Sequence, residues 1–158
     1  DWLWIPGLVF AGLGAVYTAF LFNQARARDL WQTPIQSAIH MLVHAIMAGS
    51  VVMIIIAPES SQWMANILLW GIVANVVIIA KEILLPHDTP DTKKAIHLMT
   101  KGYYSKYFWA GIVMGSLIPL VVLNAFPSMS LIAGSLALVG IYLTEFVRIR
   151  VPQMIPLS

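Results

Sequence analysis

PIQSAIHMLVHAIMAGSVVMIIIAPESSQWMANILLWGIVANVVIIAKEILL, residues 34–85, decides the fold. It holds two apolar runs, 34–57 and 62–85, separated by a short polar gap around Pro58 and Glu59. A bilayer core takes about 20 apolar residues in an α-helix, so each run is long enough to cross. The gap carries no lysine or arginine, whereas Arg26 and Arg28 precede the pair and Lys93, Lys94 and Lys101 follow it. Basic loops resist translocation. The pair therefore reads as a helical hairpin that leaves the cytoplasmic side and returns to it.

The same pattern extends in both directions. Windows 4–24, 105–125 and 129–149 are also long enough to span, the gap from Asn124 to Ser130 has no basic residue, and Arg148 and Arg150 close the chain. The expected fold is all-α: one polytopic transmembrane helix bundle over 1–158, with five spans, the N-terminus outside and the C-terminus cytoplasmic. The only long polar stretch, 87–103, places Ile96 and Met99 apart from Lys93, Lys94 and His97 and reads as a short helix at the cytoplasmic interface. Because the sequence starts at Asp1, outside, with no basic leader or small-residue cleavage site, it is expected to be the C-terminal part of a longer chain.

Composition excludes several function classes. The chain is 59% hydrophobic and only 10% charged, with a mean hydropathy of +0.82, against roughly 25% charged residues in a soluble domain. The net charge of +2 comes from residues that flank spans, which points to membrane lipid and away from nucleic acid. Without cysteine the chain cannot ligate an iron–sulfur cluster through thiolates or form a disulfide. Any redox centre must be held by histidine, dissolved as a quinone, or carried by another subunit.

Charged and titratable groups at membrane depth are costly and so are functional candidates. His40 and His44 lie four apart, on one helix face, with His44 near the middle of its span. They are candidates for proton transfer, and His44 also for contact with a quinone carbonyl. Two histidines on one face of one helix cannot sandwich a porphyrin, so no haem is expected. Glu82 and Glu145, near the cytoplasmic ends of their spans, could collect protons, and Asn75 could link these groups by hydrogen bonds. The structural alternatives are interhelical hydrogen bonds and a Glu145–Arg148 pair at i,i+3. Phosphate loops, metal-binding histidine–glutamate motifs and nucleophile elbows are absent, so neither a metal centre nor hydrolytic chemistry is expected.

Packing signals complete the picture. Gly7, Ala11, Gly14 and Ala15 on the first span, and Gly111 and Gly115 on the fourth, would allow close helix approach. Pro119 should kink the fourth span and free a backbone carbonyl.

Several short passages resemble the NrfD-type polysulfide reductase membrane subunits. Gly14-Ala15-Val16-Tyr17-Thr18-Ala19-Phe20-Leu21 running into Ala27-Arg28-Asp29-Leu30-Trp31-Gln32-Thr33-Pro34 is similar to that family's tyrosine–threonine–glycine helix and its arginine–tryptophan–proline passage. Gly102, Phe108-Trp109, Gly115 and Pro119 resemble a later family helix, and Arg150-Val151-Pro152-Gln153 with Pro156-Leu157-Ser158 resembles its tail. Ala19 stands where the family usually has glycine, and Gln32 where it often has asparagine.

The resemblance implies a quinone-reactive subunit of a respiratory oxidoreductase complex in a bacterial or archaeal cytoplasmic membrane. It implies an exchangeable menaquinone or ubiquinone, with no haem or iron–sulfur cluster bound by this chain. It also implies an iron–sulfur partner and a molybdopterin-type or cytochrome subunit. Tyr17 matches the family tyrosine and becomes a quinone-binding candidate. The competing class is a proton-conducting or transporter-type subunit without redox chemistry, which intramembrane histidines and a kinked helix also fit.

Overall fold

The computed structural model describes residues 2–23, 34–85 and 90–155. Helix α1 spans Trp4–Asn23, α2 Pro34–Ile56, α3 Ser61–Leu84 and α4 Pro90–Thr100. Helices α5 (Ser105–Ile112) and α6 (Ile118–Ala125) are joined by a π turn at Val113–Leu117, and α7 spans Ser130–Gln153. No strand occurs among the described residues. Five stretches are long and apolar enough to cross a bilayer: Trp4–Leu21, Ile35–Ile56, Pro58–Leu84, Ser105–Ala125 and Pro127–Gln153. The chain is an all-α, multi-pass bundle. Arg26, Arg28, His87 and the Ala27–Thr33 passage lie outside the described residues.

Three helices build the centre, each through one buried stripe with steps of three and four residues. On α2 the stripe is Ser37, His40, His44, Met47, Val51 and Ile54. On α3 it is Leu68, Ile72, Asn75, Ile79 and Glu82, and on α7 Ala133, Ala137, Gly140, Thr144, Val147 and Val151. Such spacing keeps one face turned toward a neighbour along a shallow crossing. Lipid tails are as apolar as leucine, so these contacts stabilise through fit and hydrogen bonding more than through escape from solvent.

The fourth span packs on α7 almost backbone to backbone. A Cβ on Gly115 would sit 2.6 Å from Cα of Gly140, and one on Gly111 would sit 2.8 Å from the Thr144 methyl. Only glycine fits there. The kink expected at Pro119 takes the form of the π turn immediately before it. Proline lacks an N–H and its ring crowds the carbonyl four residues back, here Gly115. The wider turn absorbs this and directs both Gly115 and Ser116 into the bundle.

Helix α1 behaves differently from the sequence reading. It packs chiefly on α2, and a Cβ on Gly7 or Gly14 would meet nothing within 4 Å. These small residues therefore face away from the packed interior, and among the described side chains of α1 only Ala19 is buried. Helix α4 buries Thr92, Ala95 and Met99 and leaves Lys93, Lys94 and His97 exposed. Ala95 and Met99 join Ile79, Phe108, Val147 and Val151 in one apolar cluster. The α2–α3 and α6–α7 hairpins turn alike, through 3-10 turns at Pro58–Ser60 and Pro127–Met129. Each opens on proline, whose fixed φ suits a first helical position and whose missing N–H costs nothing there.

Candidate functional site

The buried stripes change chemistry along their length. Toward one end of the bundle Met47, Val51, Leu68, Ile72, Leu123, Ala133 and Ala137 make an apolar core. Toward the other end the same stripes carry His40, His44, Asn75, Glu82 and Arg148, all buried, with the partly buried Glu145 beside them. At 1.5 Å per residue, Glu82 lies about 3 Å from the end of α3, and His44 roughly 15 Å from the start of α2. The polar layer thus runs from a helix end to mid-span.

Asn75 joins the two histidines. His40 Nε2 donates to Asn75 Oδ1 at 2.7 Å, and His44 Nε2 donates to the same oxygen at 3.0 Å. The two imidazole rings, one helical turn apart on α2, have centroids 4.3 Å apart. Arg148 joins the rest. Its Nη2 donates to Glu82 Oε1 at 3.1 Å, and its Nη1 donates to Glu145 Oε1 at 3.2 Å and to His40 Nδ1. His40 accepts at Nδ1 and donates at Nε2, so its two contacts require one ring proton. That is the neutral tautomer.

His44 differs. Its Nε2 faces Asn75 Oδ1, and its Nδ1 lies 3.4 Å from Glu145 Oε1. Both ring nitrogens therefore meet oxygen. A neutral histidine and an ionised glutamate would bring two lone pairs together. One proton held between them, on either His44 or Glu145, removes the clash. The formal charges agree: Arg148 balances one of the two carboxylates, and this proton would balance the other.

His40, His44 and Glu145 also offer three ligand atoms within 4.8 Å of one another. Arg148 donates to two of these three residues, His40 and Glu145. The guanidinium thus already brings a positive charge to this cluster.

All five proton-transfer candidates named from sequence thus meet in one cluster. Tyr17 does not join them: it sits on α1 and is 62% exposed. Sequence reading paired Arg148 with Glu145 alone and missed its contacts with Glu82 and His40. The available signal was its register, since Thr144, Val147, Arg148 and Val151 share the buried face of α7.

The model of the family described as polysulphide reductase, NrfD, matches residues 1–156. No curated protein and no solved structure matches the chain.

Proposed function

The chain belongs to the NrfD polysulphide reductase family, and from that premise we propose that it exchanges electrons between membrane quinone and an iron–sulfur partner and handles the linked protons. Members of this family are membrane subunits of quinone-reactive oxidoreductase complexes, paired with iron–sulfur and molybdoenzyme subunits. Converting quinone to quinol takes two electrons and two protons. With no cysteine in the sequence, thiolate-ligated clusters must come from a partner, and this chain supplies the membrane pocket and the protonatable groups.

The observation that supports proton handling is His44, wedged between Asn75 Oδ1 and Glu145 Oε1. We read the space between these two side chains as a seat for one transferable proton. Arg148 keeps a positive charge beside Glu145, and Glu82 offers a carboxylate close to the helix end. Burying six polar groups in one layer costs stability that an apolar core would not. Proton exchange is a use that explains such a layer. Taking the basic segment around Lys93, Lys94 and Lys101 as cytoplasmic, we read this layer as the inner half of the membrane, which the family reading makes a bacterial or archaeal cytoplasmic membrane. Tyr17, exposed on α1, is a second candidate contact for quinone.

Extraction of quinone and iron from the purified complex tests the redox half of this proposal. An active complex free of iron, flavin and haem would reduce the chain to a proton-conducting or transporter-type subunit.

A further inference from the structure

At the end of the bundle remote from Arg148, a cavity of about 290 Å³ opens between α3, the end of α6 and the start of α7. Ser61, Gln62, Asn66, Ser128 and Ser130 line it. None of these side chains hydrogen-bonds to another described residue. Ser130, only 8% exposed, lines the cavity and has no side-chain hydrogen bond to another described residue.

The cavity also receives the first turn of α7. That turn holds no acidic residue, and its N-cap, Met129, makes no side-chain cap. The positive end of a 24-residue helix therefore points toward the cavity with no counter-charge of its own. Glu59, in the turn before α3, is exposed and does not line the cavity. Three hydroxyls, two amides and a helix N-terminus suit a ligand rich in acceptors and bearing negative charge.

Asn66 belongs to a second concavity as well. A groove of about 670 Å³ runs between α2 and α3 along Val43, Ile46, Trp63, Ile67 and Trp70. Apart from Asn66, the lining is apolar or aromatic. Cavity and groove meet at Asn66, on adjacent faces of α3. The combined shape is that of an amphiphile: a polar head near the hairpin turns, and a chain descending along the helices toward the membrane middle.

We propose that this is a binding site for an anionic phospholipid, with the phosphodiester in the serine–amide cavity and an acyl chain against Trp63 and Trp70. Phosphate supplies acceptors for Ser130, Ser61 and Asn66, and its charge complements the α7 terminus. The groove and cavity sizes fall at or near the range of small-molecule sites. This site is separate from the His44–Glu145 cluster and does not depend on its role.

Native mass spectrometry of the detergent-purified complex tests the assignment, with dioleoylphosphatidylglycerol and dioleoylglycerol as probes. These share their chains and differ in the phosphoglycerol head. Wild type should retain the phospholipid at least about tenfold better than dioleoylglycerol, and Ser130→Ala and Asn66→Leu should each weaken retention about fivefold. Asn66 is exposed on α3, so its variant tests the site even if Ser130→Ala fails to assemble. Equal retention of the two probes would overturn the proposal, as would unchanged retention in the folded variants. Loss of bound quinone in step with these substitutions would reassign the cavity to a quinone head and overturn the phospholipid assignment.

Discussion

Arg148 Nη2 lies 3.1 Å from Glu82 Oε1, and this pair ties α7 to α3 across 66 residues of sequence. Arg148 is 4% exposed and Glu82 9%. Neither charge can leave the bundle for water without unpacking it.

Removing one member of such a pair should therefore cost more than the pair contributes. Arg148→Gln leaves the buried Glu82 carboxylate without its guanidinium and should destabilise the bundle by about 3 kcal/mol, in the range for a broken buried ion pair. The double change Arg148→Gln with Glu82→Gln should recover part of that loss. Denaturant unfolding in detergent, followed by tryptophan fluorescence, measures both. Additive losses in the double variant would mean that the two residues do not interact.

The His44–Glu145 pair predicts a functional effect separate from stability. His44→Ala and Glu145→Gln should each slow quinone-linked turnover, or its charge separation, at least about tenfold per folded complex. Turnover and proton stoichiometry at wild-type levels in both variants would leave these residues a structural role only.

Backbone contact between the π turn of the fourth span and α7 makes a packing prediction. Gly140→Val would drive a side chain into Gly115, where even a Cβ has no room. Overpacking of this kind costs about 1–3 kcal/mol. Gly7→Val on α1, where a Cβ meets open space, should leave the melting temperature of the bundle itself unchanged. Equal melting temperatures for Gly140→Val and wild type would contradict the packing.

Orientation is open to direct chemical test. If Lys93, Lys94 and Lys101 face the cytoplasm, as the charge pattern proposes, cysteines placed at Ser60 and Ser128 should react with an impermeant maleimide in intact cells. Reaction of either only after permeabilisation would invert the topology.

The partner requirement gives a last expectation. Iron should co-purify with the active complex at a constant ratio to this chain, and stripping the cluster-bearing subunit should abolish electron exchange with quinone. Persistence of that exchange in the isolated chain would contradict the division of labour proposed above.

The amino-acid sequence by itself determined the five spans, because a membrane helix satisfies its own backbone and needs only local apolar length. It also determined that His40 and His44 share a face and that Glu145 and Arg148 can pair, since both follow from 3.6-residue periodicity. Glycine spacing marked Gly111 and Gly115 as a contact surface, whereas Gly7 and Gly14 meet no neighbour among the described residues. Spacing reports where a helix could be approached and says nothing about which helix approaches.

Tertiary structure alone decided that Asn75 bridges the two histidines, that Arg148 reaches Glu82 and His40, and that Tyr17 stands apart. It also decided that Ser130 and Asn66 open onto adjoining concavities. Each of these relationships joins different helices, and each depends on their relative rotation and depth. Those are set by the summed fit of whole faces, such as Gly115 against Gly140. No local stretch of sequence carries that information, because the fit belongs to two surfaces at once.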